Sequence, residues 1–513
     1  MQDENIEINH GLKLLAKSSI LVSITLILSK ILLYFYRIVI ARDFGPEIYG
    51  LFTLSIVIVS WFRIFSGLGI KEGLIRYLSL FRAKNEKGKI QYVLKKSLII
   101  LVFTSIVASI LLFIFSDFIA MKFFSNSKLP LFLKIFSATL PFTVVGAIYL
   151  SIIRAFERIG WFSFISEVLG NFIQLIILVL LVFLGINSKS VPISYLIGTF
   201  SIFIVSYFVS KSSVSNISIK NKKINSEKNK KTFKEMFSYS WPFLFYGVIN
   251  FIFYGTDSFM IGIFKNVESV GFYNAAVPIA MFLFLPFSLF GQLFFPLVTK
   301  EFSKGNIETV KQLSQQVGKW IFMVIMPLFI LLIIFPGTFI NILFGPEYLV
   351  ATNALRFLSV GALFSTLSSI SQELLSMKGK SKLILFDMIC AAIINIILNA
   401  ILIPPYGITG AAFATMLSTI IFSALLFIQS YKLLSIIPFR RKMFGITLIV
   451  IISAILLLVI KSLLEINLLS LILCSIFFTL VYTLLILITN CLDKNDWYIL
   501  KSILKKLRLK KHE

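Results

Sequence analysis

Long runs of apolar residues alternate along this chain with short polar segments. One of them, Gly445 to Ile460, has the sequence GITLIVIISAILLLVI and shows no alternation of apolar and polar positions. A block of about 20 apolar residues can cross a hydrocarbon core of about 30 Å as a helix, whereas the strands of a membrane barrel are alternating segments of about 10 residues. The pattern therefore predicts an all-α polytopic membrane protein.

Blocks of this kind indicate about fourteen transmembrane helices. We predict spans near residues 18–41, 47–70, 96–120, 129–153, 163–185, 190–210, 236–262, 270–297, 316–345, 350–375, 383–403, 408–431, 443–465 and 468–490. Most connections between them are short, so neighbouring helices should run antiparallel. The longer connections are charged and too small to form a domain, and they are 71–95, 211–235 and 298–315.

The composition supports a membrane protein and argues against a soluble protein that binds nucleic acid. The 513 residues are 58% hydrophobic and 14% charged, whereas a soluble globular chain has roughly 45–50% apolar and about 25% charged residues. A net charge of +26 would suggest a nucleic-acid partner in a soluble protein. Here the basic residues lie between the apolar blocks, so we expect contact with membrane lipids and no nucleic-acid partner.

The distribution of basic residues predicts the orientation of the chain. If successive connections face alternate sides, one side, together with both termini, collects 38 of the 49 Lys and Arg residues, and the other side collects six. Cytoplasmic loops of membrane proteins are enriched in Lys and Arg. We therefore expect a multi-pass protein of the cell (plasma or inner) membrane with both termini in the cytoplasm.

Two internal matches suggest that the chain repeats itself. Gly50 of the second span lies 221 residues before Gly271 of the eighth, and Asn171 of the fifth span lies 224 residues before Asn395 of the eleventh. Short apolar matches also arise by chance, so a bundle without a repeat stays open. A parallel repeat, as in several transporter folds, predicts two pseudo-repeated six-helix lobes and two C-terminal helices. The divisions are then 1–210 for the first lobe, 211–235 for a basic cytoplasmic linker, 236–431 for the second lobe, 432–490 for the last two spans and 491–513 for a basic cytoplasmic tail.

The tail carries a pattern of its own. Within 497–507, apolar residues at 497, 500, 504 and 507 form one stripe opposite a basic face. This pattern is typical of a helix that lies on an anionic membrane surface. A solvated basic tail is the alternative.

Five short motifs follow one another along the chain. They are ARDFGPEIYG at 41–50, SGLGI at 66–70, GFYNAA at 271–276, LFGPEY at 343–348 and YGITGAA at 406–412. Their order and the predicted spans cover nearly the whole chain, which resembles polysaccharide flippases of the Wzx type in the multidrug/oligosaccharidyl-lipid/polysaccharide exporter superfamily. The resemblance implies alternating access to a central cavity and an isoprenoid (pyro)phosphate-linked oligosaccharide as substrate. The substrate would pass from the cytoplasmic to the outer leaflet for surface polysaccharide or glycan assembly, and glycan-assembly enzymes are candidate partners.

Four basic residues inside predicted spans are candidates for binding such an anion. Lys30 and Arg37 lie seven residues apart in the first span, on one helix face and about 10 Å apart in depth. Arg63 lies in the second span and Arg356 in the tenth. A charge inside a membrane costs roughly 2.5–3.5 kcal/mol and needs a compensating partner, and phosphate groups suit both Arg and Lys. For the three arginines the alternative is a long side chain that reaches the membrane surface, but Lys30 lies too deep for that.

Acidic and amide residues in the spans carry further hypotheses. Asp257, near the outer end of the seventh span, is a candidate for binding a coupling ion or for pairing with Arg37, and an interfacial helix cap is the alternative. Three acids near predicted cytoplasmic ends are expected to neutralise basic neighbours, with gating as the alternative, and they are Glu167, Glu373 and Asp387. Four amides are expected to form hydrogen bonds between helices, and they are Asn171, Gln174, Asn395 and Asn399.

Three other functions compete with the flippase. A cation-coupled multidrug exporter of the same superfamily relies, by the resemblance, on a carboxylate inside the first lobe, whereas the first span here has Lys30 and Arg37 and no acid. A membrane glycosyltransferase should carry acidic metal-binding residues on a long external loop, and the predicted external loops are short. A scaffold for sugar-assembly enzymes would not need a charge as deep as Lys30. We therefore expect a transporter that is not an enzyme and has no metal and no cofactor.

Overall fold

The computed structural model describes residues 2–214, 226–463, 468–489 and 491–493, and within these ranges the chain is helical and has no strand. The described α-helices are α1 (Gln2–Gly67), α2 (Ile70–Ala83), α3 (Lys87–Phe124), α4 (Leu129–Ser137), α5 (Thr139–Ala155), α6 (Ile159–Ser163), α7 (Gly170–Phe183), α8 (Ser190–Val214), α9 (Ser226–Phe264), α10 (Val267–Met281), α11 (Leu285–Ser303), α12 (Ile307–Ile334), α13 (Pro336–Leu343), α14 (Thr352–Met377), α15 (Ser381–Leu434), α16 (Arg441–Leu463) and α17 (Leu468–Ile488). The all-α fold that the apolar blocks predict is confirmed.

Twelve helical stretches among the described residues are long and apolar enough to cross a membrane. Two of them, Ile24–Gly67 and Ser381–Leu434, are bent at Gly45 and Gly407, and each covers two predicted spans. If both bent helices cross twice, the twelve stretches make fourteen spans. That count stays a prediction.

Large apolar side chains cover the outside of these helices. Phe103 of α3 is 69% exposed and Leu480 of α17 is 64% exposed, with many similar neighbours. A surface of this kind is unfavourable in water and suits lipid tails, and helices satisfy their backbone hydrogen bonds internally. The chain is therefore a multi-pass membrane protein.

Glycine and proline explain the two bends. Gly45 has φ 76° and ψ 179° and precedes Pro46. Gly407 has φ 57° and ψ −134° and follows Pro404 and Pro405. A positive φ is accessible to glycine at little cost, and proline cannot donate the backbone hydrogen bond of a continuous helix. The helix axis therefore breaks at the two positions where the sequence separates one predicted span from the next.

The charged connection 71–95 contains more helix than its sequence pattern predicts. The segment 71–95 holds most of α2 and the first turns of α3, which begins at Lys87. Apolar residues of α2 such as Leu74 and Leu78 are fully buried. Charged residues of α2 such as Arg76 and Arg82 thus lie on the exposed face of an amphipathic helix instead of in a loop. The tail helix predicted at 497–507 lies outside the described residues.

The described residues group into two compact units. The first unit combines Met1–Pro278, Phe344–Ala354 and Leu385–Ser418. Its core includes Leu74 of α2, which belongs to an apolar cluster with residues of α3, α5 and α9 such as Met236. The candidate residues Lys30, Arg37, Arg63 and Asp257 all belong to this unit.

The second unit combines Ile279–Leu343, Leu355–Ile384 and Thr419–Glu513. Apolar residues of α12, α16 and α17 form a core cluster in it. Beyond α17, the Asp493 carboxylate binds the buried Lys319 Nζ of α12 at 2.8 Å. The same carboxylate contacts Arg440 at 2.7 Å and also pairs with Lys442. These ion pairs hold the chain after α17 against α12 and the start of α16. The division into two six-helix lobes stays a prediction.

Candidate functional site

Lys30 lies on the first half of α1 and its side chain is exposed. The neighbouring Ser29 is buried, and its hydroxyl accepts a hydrogen bond from Asn171 Nδ2 of α7 at 3.1 Å. This bond confirms the contact between helices predicted for Asn171. Because the Ser29 face of α1 packs on α7, the Lys30 ammonium lies outside that contact. In a membrane span, such a charge needs water or an anion beside it.

Arg37, two turns further along α1, lies among tyrosines. Its guanidinium interacts with the Tyr49 hydroxyl and is close enough to Tyr34 and Tyr195 for electrostatic interaction. The Arg37 Nε is buried and has no hydrogen-bond partner within the described part of the chain. A buried donor without a partner costs about 1–3 kcal/mol. The Arg37 side chain therefore retains a donor that an anionic ligand would satisfy.

Arg63 lines a cavity of about 380 Å³ in the first unit, which we call the Arg63 cavity. Lys71 and Glu72 of α2 lie in its wall, together with residues of α3, α5 and α9. Two cations and one acid leave the wall with a net positive charge, which favours binding of a phosphate group. The sequence pattern does not predict Lys71 as part of such a site, because Lys71 follows the predicted span in a charged connection.

Asp257 of α9 is buried, with 4% of its surface exposed, and so it does not cap a helix at the interface. Its carboxylate accepts hydrogen bonds from the hydroxyls of Tyr273 and Thr415, each at 2.5 Å, and from Asn399 Nδ2 at 2.7 Å. The alternative pairing with Arg37 is not observed. Three neutral donors hold this carboxylate in place.

The bend at Gly407 creates the surroundings of Asp257. Asn399 and Thr415 lie eight residues before and after Gly407, and the bend places both beside the carboxylate. Asn395 Nδ2 spans the two halves of α15, since it donates to Thr415 Oγ1 at 3.1 Å and Ser418 Oγ at 3.4 Å. Asn399 also donates to Asn395 Oδ1 at 3.0 Å. The predicted hydrogen bonds between helices are confirmed for both asparagines.

The chemistry around Asp257 is that of a small oxygen-lined site. A carboxylate, amide oxygens and a hydroxyl are ligands that a hard cation prefers. The Asn399 Oδ1 atom is buried without a hydrogen-bond partner among the described residues. The arrangement therefore fits either a small monovalent cation or a proton on the Asp257 carboxyl.

The two glycines of the sequence repeat, Gly50 and Gly271, face each other where α1 crosses α10. A methyl group on Gly50 would overlap the carbonyl oxygen of Val267, and one on Gly271 would overlap the carbonyl oxygen of Pro46. Each methyl would also lie 3.1 Å from the backbone nitrogen of the opposite glycine. The two helices thus touch backbone to backbone, which only glycine permits at these positions.

Buried aromatic residues surround this glycine crossing. The Tyr49 hydroxyl donates to the carbonyl oxygen of Asn274 at 2.9 Å, and the Tyr348 hydroxyl donates to that of Ala41 at 3.2 Å. The Tyr49 ring stacks on Phe344 with a centroid distance of 6.0 Å. The glycine crossing and the hydrogen bond from Tyr49 therefore hold α1 and α10 in close contact.

Arg356 lies in the second unit, apart from the other candidates. It is exposed on α14, and its Nε donates to the carbonyl oxygen of Ile333 in α12 at 3.3 Å. Nearby, Lys461 Nζ donates to the carbonyl oxygen of Ile334 at 2.7 Å. Both cations lie at the C-terminal end of α12, where exposed carbonyl groups favour positive charge. Arg356 thus makes a structural contact at the end of α12, and its role in anion binding stays a prediction.

Known proteins resemble this chain over most of its length. A family model described as polysaccharide biosynthesis protein matches residues 14–302, and a second one, described as MatE, matches residues 242–401. The chain is 28% identical to an uncharacterized membrane protein of Methanocaldococcus jannaschii over 88% of this chain and 90% of that protein. It is 23% identical to a putative O-antigen transporter of Shigella flexneri over 75% of this chain and 90% of that protein.

Among solved structures, the fold is similar to that of the lipid II flippase MurJ in an inward closed conformation. The TM-score is 0.71 at 21% sequence identity, and the match covers 91% of this chain and 98% of that chain. Identity at this level supports the fold alone. The first family model, by contrast, covers more than half of the residues. The chain therefore belongs to the family of polysaccharide biosynthesis proteins, as its resemblance to polysaccharide flippases predicted.

Proposed function

We propose that this protein is a flippase that moves an isoprenoid (pyro)phosphate-linked oligosaccharide from the cytoplasmic to the outer leaflet of the cell membrane. It performs no catalysis, and glycan-assembly enzymes supply and consume its substrate. The observation that carries the proposal is the group of cations inside one membrane unit: Lys30 exposed on α1, Arg37 with a buried free donor, and Arg63 in a cationic cavity. The relative described as a putative O-antigen transporter supports a sugar-linked substrate.

The depth of these cations suits a phosphate that has to cross the membrane. Arg63, Lys30 and Arg37 follow one another from the predicted cytoplasmic side to the predicted outer side. A diphosphate would therefore meet a positive charge at each level and would not have to cross the apolar interior unpaired. A neutral or cationic drug would gain nothing from these residues.

The glycine crossing supports alternating access. With both termini in the cytoplasm, Gly50 and Gly271 lie at the outer ends of their spans. Their backbone contact then closes the outer side, and it has to separate when the substrate is released. Separation of α1 and α10 would break this backbone contact and the hydrogen bond from the Tyr49 hydroxyl to the carbonyl oxygen of Asn274.

The Asp257 site is the place where we propose that an ion couples to this movement. Its ligands come from α9 and from both halves of α15, so a bound cation or proton would tie these helices together. Such an ion shifts the equilibrium between two conformations only by the difference between its affinities for them.

A cation-coupled multidrug exporter is the second candidate function. The MatE model covers Asp257 and Asn395 and ends soon after Asn399, which favours this alternative for part of the chain. Deletion of the gene separates the two functions. A flippase mutant accumulates lipid-linked oligosaccharide in the cytoplasmic leaflet and loses surface glycan, whereas an exporter mutant keeps its glycan and becomes sensitive to cationic drugs.

A further inference from the structure

A second cavity, of about 550 Å³, lies along the second half of α1 in the first unit. We call it the aromatic groove. Its wall comes from α1 and α3, and the residues that define it are Trp61, Phe62, Phe65, Phe103, Val107 and Leu111. None of the residues assigned to substrate or ion binding lines this groove, and of the sequence motifs only SGLGI contributes to it, through Ser66.

The groove offers a ligand almost no hydrogen bonds. The two hydroxyl groups in its wall are already committed, since Ser66 Oγ donates to the carbonyl oxygen of Phe62 at 2.7 Å and Thr104 Oγ1 donates to that of Ser66 at 2.8 Å. The remaining wall is aromatic and aliphatic. A ligand in this groove would therefore be an apolar chain. Dispersion contacts with the densely packed groove wall would hold it, because the wall offers more contacts than the surrounding lipid tails.

The groove opens sideways from membrane-spanning helices. Phe65 is 53% exposed, Phe103 is 69% exposed and Leu111 is 43% exposed. All three lie in stretches long and apolar enough to cross a membrane. A lipid chain would thus enter from the bilayer without passing through water.

The same turns of α1 separate the groove from the Arg63 cavity. Trp61, Phe62 and Phe65 line the aromatic groove, whereas Arg63 and Gly67 line the cationic cavity. The segment is seven residues long, which is about 10 Å of helix. One amphiphilic molecule can therefore place its phosphate on one side of this segment and its chain on the other.

We propose that the aromatic groove binds the isoprenoid chain of the substrate while the Arg63 cavity holds its phosphates. This inference rests on the proposed function. The two cations in the wall of the Arg63 cavity, Arg63 and Lys71, suit the diphosphate of the substrate better than the single phosphate of a bulk phospholipid. The stacked pair of Trp61 and Phe65, with a centroid distance of 6.1 Å, gives the methyl-branched chain a flat surface to pack on.

Photo-crosslinking tests the groove directly. The full-length protein in phosphatidylcholine vesicles is incubated with a polyprenyl diphosphate that carries a diazirine on its chain, and the labelled residues are mapped. We expect labels within 61–66 and 103–111, removed by excess unlabelled polyprenyl diphosphate and not by phosphatidylglycerol. Labels elsewhere, or equal competition by phosphatidylglycerol, would overturn the inference.

The second test fills the aromatic groove with a larger side chain. Val107→Trp should weaken polyprenyl diphosphate binding about tenfold, which corresponds to about 1.4 kcal/mol. Ile110→Trp is the matched control, because Ile110 is exposed on the same helix and does not line the groove. Binding of inorganic pyrophosphate should be equal in both variants. If the wild type translocates lipid-linked oligosaccharide and Val107→Trp behaves like the control, the groove assignment is wrong and the function stands. If the chain labels the groove but no lipid-linked oligosaccharide moves, the proposed function fails instead.

Discussion

Replacing Gly50 with alanine tests whether the glycine crossing opens during transport. The added methyl would overlap the carbonyl oxygen of Val267 and lie 3.1 Å from the Gly271 nitrogen. Because backbone atoms cannot rotate away, α1 and α10 have to move apart. Overpacking of this kind costs about 1–3 kcal/mol. A penalty of about 2 kcal/mol that falls only on the closed conformation shifts a two-state equilibrium about 30-fold toward the open one.

External cysteine labelling measures this shift. A cysteine replaces Arg37 in a chain whose native cysteines are changed to serine, and an impermeant maleimide is added outside. We expect Gly50→Ala to label faster than its parent. Gly88→Ala is the matched control, because a methyl there meets nothing within 4 Å and Gly88 lines neither cavity. If Gly50→Ala lowers the Tm and leaves the labelling rate unchanged, the crossing is a permanent joint and the reasoning is refuted.

Three further predictions concern single charges. Lys30→Ala should abolish glycan export although the protein reaches normal abundance in the membrane. Lys30→Arg should keep part of the export, and Lys30→Glu should export less than Lys30→Ala. Normal export by Lys30→Glu, measured relative to its abundance in the membrane, excludes a phosphate-binding role. Asp257→Asn should remove the dependence of transport on Na⁺ or on pH, and a variant that keeps the wild-type ion dependence in vesicles contradicts ion coupling. Burial opposes ionisation of Asp493, but hydrogen bonds from Lys319 and Lys442 outweigh it and lower the pKa of this carboxyl to about 2. This folded-state pKa lies below the ordinary value of 3.8, so ionised Asp493 adds about 2 kcal/mol to the free energy of unfolding. This contribution is complete above about pH 4 and is lost as the pH falls through 2. Asp493→Asn should therefore lower the Tm at pH 7 and flatten its acid dependence, and an unchanged melting profile contradicts this.

The apolar pattern was sufficient to predict the helices, because a chain in lipid has to satisfy its backbone hydrogen bonds within each span. The breaks at Gly45 and Gly407 also follow from the sequence, since glycine beside proline interrupts a helix. The helix α2 was missed for a physical reason. Its outer face is charged, and a short amphipathic helix carries as many charges as a loop of the same length.

The charged residues of the candidate site could be predicted from the sequence, because charges are rare inside the apolar blocks. Lys30 and Arg63 stand out in apolar blocks, and the structure places Arg63 in a cationic cavity. Asp257 stood out too, but its partners did not. Tyr273 and Thr415 are neutral residues that are common in membrane helices, and Thr415 reaches the carboxylate only through the bend at Gly407. Sequence spacing does not encode that approach, which is why the pairing of Asp257 with Arg37 was considered and is not observed.

Translocation by the purified protein is the most direct test of the proposed function. Vesicles containing the full-length chain are loaded in one leaflet with a fluorescent isoprenoid diphosphate-linked oligosaccharide, and its appearance in the other leaflet is followed with an impermeant quencher. We predict that the wild type moves this lipid, and that Lys30→Ala and Arg63→Ala, inserted at equal density, do not. Vesicles in which the wild type leaves the lipid in place and instead transports a cationic drug would contradict the account.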